Sequence, residues 1–435
     1  THRSPVTTSR MSELGPSPLM AGDPQLSVDE ARVAIRAALV PITDQERVPL
    51  RHAVGRVLNA DLICPMDVPP HDNSAMDGYA FDGALLRDGQ VLALAVAGTI
   101  HAGRPPQLSV PPGGCVRIMT GAVMPAGLDT VVPQELCQLH GDTVQIAPGV
   151  IRRGENRRLR GEDLAHGKPA LSAGRVLRPA DVGLAASLGF QQLGVRRRLK
   201  VALFSTGNEV VAPGHPLPPG GIYDSNRFAL GAALQRLGVE VIDLGLVADD
   251  RQALQATLER AVVEADAVLT SGGVSVGEAD YTREILARMG EVAFWKVAMR
   301  PGRPFAFGPL RAGSGGRRAW LFALPGNPVA ALVTFYAFAR EALQILSGAE
   351  PVPVPLLRAR CTSAVRKRPG RTEFQRGIVR PAADGNGCEV TLVGAQGAGI
   401  LRSLSEANAL VVLGHAQGSV AAGEPVDVWL FDGLV

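Results

Sequence analysis

The sequence has few cysteines, few aromatic residues, little net charge and no apolar run long enough to cross a membrane. Its five cysteines are odd in number and contain no CxxC pair, which argues against a disulfide framework or a zinc ribbon and favours free thiols in a reducing cytosol. Aromatic residues make up 4% and the formal charge is +3, with Lys and Arg scattered among acidic residues, so no nucleic-acid surface is predicted. The longest apolar run, 328–339, is too short to span a bilayer, and residues 1–25 lack the apolar segment of a secretory signal. We therefore predict a cytoplasmic protein with no membrane partner.

The pattern of apolar residues changes along the chain of 435 residues, which is longer than one hydrophobic core usually covers. A flexible extension over 1–25 is followed by a predicted helix over 27–40, with Ser27 as its N-cap and Glu30 completing a capping box. Short β-like runs then extend to about residue 197, including a β-rich stretch at 152–159.

Strands and helices alternate from about Leu199 to Leu346, which predicts a mostly parallel sheet with crossover helices. After Gly348 the pattern is again that of strands, and it predicts a small terminal barrel or sandwich. The fold class is therefore α/β plus β.

Carboxylates follow several strands of the predicted parallel sheet. Glu209, in the string STGNE, ends the first strand, Asp249 follows another, and Asp280 lies just beyond a third. Ligands of such sheets bind at the carboxyl ends of the strands, where these side chains would converge. A single carboxylate is more often a helix cap or a surface group, whereas three converging carboxylates would require a divalent cation.

Glycine-rich loops at the same sheet edge suit an anionic ligand. One contains Ser271, Gly272, Gly273 and Ser275, and it lets backbone N–H groups approach a phosphate. Neither a Walker A loop nor a GxGxxG dinucleotide fingerprint is present. A second loop places Pro325, Gly326 and Asn327 before a helix whose first N–H groups favour anions.

A cationic loop follows a later strand. Lys296, Arg300 and Arg303 fall within eight positions, and Pro-Gly-Arg-Pro makes the loop rigid, which is typical of an oxyanion receptor. Surface cations without a ligand are the alternative. Carboxylates, cations and glycine loops together indicate a site that handles a phosphoanhydride.

The first half of the chain contains three further polar strings. The string DNSAMDGYA, with Asp77, is either a functional loop or a local network of Asp and Asn turns. Thr120, in RIMTGA, is a weak candidate on its own. The arginine-rich stretch 152–163, which ends on Asp163, is either an anion-facing loop or a solvated face.

Seven strings, in this order and spacing, resemble the MoeA family of molybdopterin molybdenumtransferases, to which the E domain of gephyrin is related. They are DNSAMDGYA, RIMTGA, RGEDL, STGNE, GGVSVGEADYT, WKVAMRPGRPFAFG and LPGNPVAA. The resemblance covers the chain from about Ser27 to Val435. It implies an elongated mixed domain I (26–68 with 150–197), an inserted β-rich domain II (69–149), a molybdopterin-binding α/β domain III (198–347) and a C-terminal β domain IV (348–435).

The resemblance also implies the reaction. Members of the family transfer molybdate to the dithiolene of adenylylated molybdopterin, with Mg²⁺-dependent hydrolysis of the phosphoanhydride and release of AMP. It points to these residues: Asp77, Thr120, Asp163, Glu209, Asp249, Asp280, Lys296, Arg300 and Arg371. Glu209, Asp249 and Asp280 would be the Mg²⁺ ligands, and Arg303 would bind oxyanions. The resemblance further implies a homodimer whose site is shared between subunits, and a molybdopterin adenylyltransferase as a partner protein.

Four residues depart from the pattern common in the family. Arg300 and Arg303 stand where relatives often have lysine, Asn208 where aspartate is frequent, and Ala398 where serine is common. Arginine keeps the charge but presents a planar fork, so it grips an oxyanion differently. Two other functions remain open from the sequence: a molybdopterin adenylyltransferase and a non-catalytic scaffold of the gephyrin type.

Overall fold

The computed structural model describes residues 25–104, 108–272, 280–312, 316–394 and 396–435, so the predicted extension lies outside the described residues. The chain divides into two compact units. The larger unit comprises residues up to Arg47, Gly55–Asn59 and Gly194–Val435, and the smaller unit comprises Val48–Val54 and Ala60–Leu193. Strands Gln45–Pro49 and Gln192–Arg196 carry the chain from one unit to the other.

A six-stranded sheet forms the centre of the larger unit, as the alternating pattern predicts. The order of its strands is Glu240–Val247, Lys200–Thr206, Ala267–Ser271, Arg318–Leu324, Pro304–Arg311, Ala293–Lys296. The first four are parallel, and Pro304–Arg311 pairs antiparallel with both of its neighbours. Buried apolar side chains point to both faces of the sheet, because a parallel sheet is covered on both sides. Leu203 thus belongs to one core and Phe204 to the other.

Helices cover both faces. One core contains side chains of Val28–Ala38, Ser225–Arg236 and the helical stretch 328–346, and the other contains those of Arg251–Glu264 and Asp280–Met289. The first helix begins after Ser27, whose hydroxyl accepts from the Glu30 amide while the Glu30 carboxylate accepts from the Ser27 amide. The predicted capping box is therefore confirmed.

The long helix of this unit changes its winding along its length. It is α-helical over Pro328–Thr334, π-helical over Phe335–Ala339 and α-helical again over Arg340–Leu346. The apolar stretch is longer than the run 328–339 predicted from the sequence, and by length and composition it would be able to cross a membrane, but 72% of its 18-residue apolar window is buried inside the protein. Its apolar character is that of a core helix.

The C-terminal part of the larger unit is a closed five-stranded barrel, in agreement with the predicted terminal β barrel. Its strands are Leu357–Cys361, Thr372–Pro381, Cys388–Leu392, Ala409–Leu413 and Pro425–Leu430, and a short helix, Leu401–Glu406, precedes the fourth. The barrel closes because Thr372–Pro381 pairs with both Cys388–Leu392 and Ala409–Leu413. A two-residue strand, Met299–Arg300, pairs in parallel with Thr372 and Glu373. This pairing joins the loop after the α/β sheet to the barrel.

The smaller unit consists mainly of short strands. Its six-stranded sheet has the order Thr130–Pro133, Gly78–Phe81, Gly114–Ile118, Leu92–Ile100, Thr143–Ile146, Cys137–His140. The short strands Asn73–Ser74 and Arg157–Arg158 form one pair, and Leu62–Ile63 and Pro169–Leu171 form another. Of the predicted β-rich stretch 152–159, only Arg157–Arg158 form a strand, and the rest of the prediction is wrong, because residues 153–156 form turns. The helix Pro179–Ser187 was not predicted from the sequence.

A buried carboxylate anchors the start of the central strand Ala267–Ser271. Asp266 is 9% exposed and accepts two hydrogen bonds from Arg197 at 2.7 and 2.8 Å, one from Arg317 at 3.2 Å and one from the Lys200 amide at 2.9 Å. Burial alone would raise the pKa of Asp266, but these hydrogen bonds and the nearby positive charge outweigh it and lower the pKa. The carboxylate therefore stabilises the fold in its ionised form.

We predict that Asp266→Asn lowers the free energy of unfolding of the larger unit by about 3 kcal/mol, because the buried carboxylate and its ion pairs with Arg197 and Arg317 are lost. All three tryptophans (Trp295, Trp320 and Trp429) lie in this unit, so tryptophan fluorescence in urea reports on it alone. Because the folded-state pKa is lowered, the difference between variant and parent should be full at neutral pH and shrink below about pH 4.

The matched control is Glu264→Gln. Glu264 pairs with Arg260 on an exposed helix face, so its loss should change stability by less than about 0.5 kcal/mol. Equal effects of the two substitutions would show that the Asp266 network contributes nothing special to the fold.

Candidate active site

A cavity of about 650 Å³ opens at the carboxyl ends of the parallel strands of the larger unit. This is the sheet edge where the sequence predicts a ligand. Ten of the predicted site residues line it: Glu209, Asp249, Ser271, Gly272, Arg300, Arg303, Pro325, Gly326, Asn327 and Arg371. Residues far apart in sequence therefore share one wall, because parallel strands all end at the same edge.

The other predicted site residues lie elsewhere or are not described. Lys296 ends its strand opposite Pro304 and does not line the cavity. Asp77, Thr120 and Asp163 belong to the smaller unit. Gly273 and Ser275 lie outside the described residues, and of Asp280 only the backbone position at the start of its helix is described.

Three arginines give the cavity a cationic wall. Arg300 and Arg303 are exposed, whereas Pro301 and Gly302 between them are buried, so the loop rests on the protein and presents both guanidinium groups. Arg371 reaches the same cavity from the barrel.

The Arg371 guanidinium is held in place by Glu373. Two guanidinium nitrogens of Arg371 (Nε and Nη2) each lie 2.8 Å from Oε1 of Glu373. Glu373 is 3% exposed, and its Oε2 also accepts from Gln375 at 3.0 Å. A buried carboxylate that accepts two hydrogen bonds from one guanidinium group fixes the orientation of that group.

Gly302 lets the cationic loop sit directly on the long helix. Its φ of +99° lies in the left-handed region, and an added Cβ would stand 2.3 Å from Oγ1 of Thr334. Thr334 is fully buried, and its Oγ1 has no hydrogen-bond partner among the described residues. Neither the backbone conformation nor the space at position 302 therefore accepts a side chain.

Of the acidic residues that line the cavity, Glu209 and Asp249 suit a magnesium ion. Glu209 is exposed and Asp249 is half-buried. Within the described ranges no three His, Cys, Asp or Glu residues lie close enough to hold a metal by themselves. Mg²⁺ commonly binds through one or two carboxylates together with substrate phosphates and waters, so this donor set fits it.

Sequence reasoning missed several polar residues of the cavity. Asp224 is 2% exposed, accepts from Ser205 at 3.0 Å and pairs with Arg227 at 2.9 Å. Asn226 donates to the Gly326 carbonyl at 2.6 Å and so holds the loop before the long helix. The string Asp224-Ser-Asn226 before a helical pattern was the available signal, since Asp224 is the N-cap of that helix.

Asp77 and Thr120 of the smaller unit contact each other. The Asp77 carboxylate accepts from both the amide and the hydroxyl of Thr120, each at 2.7 Å. The backbone bond first, and then the hydroxyl bond, lowers the pKa of Asp77, so this exposed carboxylate is ionised at neutral pH. Asp163 is also exposed.

The arginine-rich stretch of the smaller unit is largely paired with its own acidic residues. Arg153 pairs with Asp129, Arg158 with Glu162 and Arg160 with Asp67. These ion pairs favour the interpretation of the stretch as a solvated, internally neutralised face.

Known protein families match nearly the whole chain. The MoeA N-terminal region (domain I and II) matches residues 26–189, a probable molybdopterin binding domain matches 202–345, and the MoeA C-terminal region (domain IV) matches 358–431. The fold and the cavity thus define a multidomain protein built around an α/β domain of the molybdopterin-binding type.

Individual relatives agree over most of their length. A molybdopterin molybdenumtransferase of Haemophilus influenzae is 41% identical over 411 residues, which are 94% of this chain and 100% of the relative. Molybdopterin molybdenumtransferase 2 of Mycobacterium tuberculosis is 38% identical and covers 89% of this chain and 95% of its own length. The crystal structure of the molybdopterin biosynthesis moeA protein from Pyrococcus horikoshii superposes with a TM-score of 0.78 at 29% identity, over 94% of this chain and 100% of that one. The chain belongs to the MoeA family of molybdopterin molybdenumtransferases.

The contact between Gly302 and Thr334 leads to a prediction. Gly302→Ala should lower the free energy of unfolding of the larger unit by about 1–3 kcal/mol through crowding, in addition to about 1–2 kcal/mol from the left-handed backbone. Gly423→Ala is the matched control, since its φ of +84° imposes the same backbone cost while the space around it is open.

Adding Thr334→Ala to Gly302→Ala removes the clashing Oγ1 and should bring the loss down to that of Gly423→Ala. Urea unfolding followed by tryptophan fluorescence measures all three. A Gly302→Ala variant no less stable than Gly423→Ala would mean that the loop is not seated on Thr334.

Proposed function

We propose that this chain is a molybdopterin molybdenumtransferase, which transfers molybdate to the dithiolene of adenylylated molybdopterin, hydrolyses the phosphoanhydride and releases AMP. The observation that carries the proposal is one cavity lined by two carboxylates and three guanidinium groups, those of Glu209, Asp249, Arg300, Arg303 and Arg371. Relatives that match this chain over their full length bear that name. A cavity with both carboxylates and guanidinium groups suits a substrate that combines phosphates, a nucleotide and an oxyanion.

The arginines would bind and orient the oxyanions. Guanidinium groups bind tetrahedral oxyanions through paired N–H donors, and donors that are fixed beforehand stabilise charge that develops in the reaction. Arg371 is fixed by Glu373, and Arg300 lies beside Glu373 in the strand pairing. The thiolates that accept the molybdenum belong to the substrate, so this function needs no cysteine in the cavity.

The carboxylates would hold a magnesium ion on the phosphates. Glu209 and Asp249, together with the sequence-predicted Asp280, are the ligands that we propose. When bound there, Mg²⁺ would neutralise charge on the phosphoanhydride oxygens. Glu209, which is exposed at the cavity, would also orient the water that attacks the anhydride phosphorus.

The assembly and the domain division are part of the proposal. We propose a homodimer in which Asp77 and Thr120 of one subunit complete the cavity of the partner subunit, with Asp163 in the same role. We propose that the four domains have the boundaries implied by the family resemblance. Lys296 is a further proposed oxyanion ligand. An adenylyltransferase that makes the substrate is the proposed partner protein.

The other candidate functions are less well supported. An adenylyltransferase activity is not favoured, because relatives that match along nearly their whole length are named molybdenumtransferases. A scaffold needs neither cavity carboxylates nor a cationic wall.

The function is tested by AMP release from adenylylated molybdopterin in the presence of molybdate and Mg²⁺. Asp249→Asn should lower this rate at least about a hundredfold, because the metal and the developing charge lose a ligand. Asp250→Asn is the matched control: Asp250 caps the next helix through the Gln252 and Ala253 amides, and asparagine caps equally well. AMP release that is unaffected by EDTA and by Asp249→Asn would contradict the proposed role of the carboxylates.

A subunit-mixing experiment tests the shared site. Asp77→Ala and Asp249→Asn should each inactivate the homodimer, whereas mixed dimers retain one intact site because each subunit supplies what the other lacks. Co-refolding or subunit exchange should restore about a quarter of the parental activity, given random pairing of a twofold dimer. Recovery of no activity from mixtures shown to contain mixed dimers would place both residues in one subunit's site.

A further inference from the structure

A small recess lies beside the cavity, on the face of the α/β sheet that the helix Arg251–Glu264 covers. It has a volume of about 20 Å³, and most of the side chains around it are apolar, among them Phe204, Leu258 and Leu321. Four residues line both the recess and the cavity and so form the boundary between them: Thr206, Asp249, Gly272 and Thr282. The recess therefore adjoins one of the two carboxylates that suit a magnesium ion.

Thr270 places a hydroxyl group in this apolar recess. It lies in the central strand Ala267–Ser271, between Phe204 and Ala323 of the neighbouring strands, and both of these belong to the apolar core of this face. Thr270 is 7% exposed, and its Oγ1 is buried with no hydrogen-bond partner among the described residues. A buried hydroxyl group without a partner costs free energy. Valine has nearly the same shape and also favours strands, so an entirely dry recess would suit valine better than threonine.

The recess has the volume and the polar groups that one water molecule needs. A protein cavity holds a water molecule when it offers about 10–15 Å³ or more and two to four polar partners, whereas purely apolar cavities stay dry. Thr270 supplies one hydroxyl group, and Thr206, two positions beyond Phe204 in its strand, lies on the same face of the sheet. Thr282 and Asp249 complete the polar residues around the recess. The recess therefore suits a single bound water molecule.

Gly272 separates this recess from the cavity on one side. Its φ of +88° lies in the left-handed region, and an added Cβ would stand 2.7 Å from the carbonyl oxygen of Thr206 and 2.9 Å from its Oγ1. The backbone of the glycine-rich loop thus lies against Thr206 with no side chain between them. A water molecule in the recess would be held behind this contact, next to Thr270 and the boundary residues.

We propose that the recess binds one water molecule, which accepts a hydrogen bond from the Thr270 hydroxyl and donates one to the Asp249 carboxylate. The water fixes the orientation of this carboxylate at the cavity. Thr270 does not itself line the cavity, so it is a positioning residue that acts through the water. Hydrogen bonds to a metal-binding side chain orient that side chain and strengthen metal binding. The inference rests on the proposed function for the role of Asp249 as a metal ligand, but not for the water site.

The test compares Thr270→Val, which removes the hydroxyl group at nearly constant volume, with Thr270→Ser, which keeps it. Thr257→Val is the matched control. Thr257 lies on the helix that covers this face, but its hydroxyl donates to the Ala253 carbonyl at 2.8 Å and it does not line the recess. Crystal structures show whether the recess holds a water molecule and how Asp249 is oriented. Electron paramagnetic resonance measures the Kd for Mn²⁺, which prefers the same oxygen ligands as Mg²⁺.

We expect the parent and Thr270→Ser to show a water molecule within hydrogen-bonding distance of residue 270 and of Asp249, with one orientation of the carboxylate. Thr270→Val should lose this water, show a different or second orientation of Asp249, and bind Mn²⁺ about tenfold more weakly. Thr257→Val should match the parent in all three respects. Thr282→Val removes another hydroxyl group from the boundary, so it should weaken Mn²⁺ binding in the same direction and serves if Thr270→Val fails to fold.

A parent structure at high resolution with no water molecule in the recess would overturn the inference. So would an unchanged orientation of Asp249 in Thr270→Val, or a parental Kd for Mn²⁺ in that variant, because a purely structural role of the hydroxyl group predicts those results. Failure of the proposed function gives a different pattern: the parent protein would release no AMP, while the water molecule and the orientation of Asp249 would still depend on Thr270.

Discussion

The site depends on one short strand pairing, that of Met299–Arg300 with Thr372–Glu373. The barrel has an interior core of its own, while its Phe374, Leu410 and Trp429 belong to the core that covers one face of the α/β sheet. Each of the two parts carries only some of the cavity wall. The pairing is extended by a hydrogen bond from the Thr372 amide to the Ala298 carbonyl at 2.9 Å. It brings Arg300, from the loop after the sheet, beside Glu373 and therefore beside the Arg371 that Glu373 holds. Without this register, Arg300 of the α/β part would not lie beside Arg371 of the barrel, and the cationic wall would not form.

The charged side chains around the cavity are of two kinds, arginines paired with a buried carboxylate and exposed arginines. Glu373 engages Arg371 and Asp224 engages Arg227, so each of these buried anions is matched by a guanidinium group. Arg300 and Arg303, in contrast, present exposed side chains to the cavity. Arg371, which Glu373 holds in place, does not need to reorganise when an anionic substrate enters, and this is the physical basis of electrostatic preorganisation.

Much of the fold and part of the site follow from local sequence rules. The alternation of strands and helices between Leu199 and Leu346 and the strands after Gly348 are as predicted, because their apolar periodicity and flanking breakers are unambiguous. Glu209 and Asp249 were located by the rule that ligands bind at the carboxyl ends of parallel strands.

Other parts depend on contacts between distant segments, which local patterns do not contain. The helix Pro179–Ser187 has a weak amphipathic pattern, and the predicted strand at 152–159 is interrupted by turns. Arg376 gives no local sign of its burial, because its partners Gly397 and Ser403 are 21 and 27 positions away. Lys296 shares its sequence string with Arg300. Lys296 ends a strand of the α/β sheet, whereas Arg300 lies in the short strand that pairs with the barrel, and of the two residues Arg300 alone lines the cavity.

The central claim is that the wall formed by Arg300, Arg303 and Arg371 receives the oxyanion. Anomalous X-ray scattering from a crystal soaked in tungstate, which has the charge and tetrahedral shape of molybdate, tests it most directly. We expect a tungsten peak within hydrogen-bonding distance of at least two of these guanidinium groups. A well-occupied tungsten peak elsewhere, with this wall empty, would contradict it.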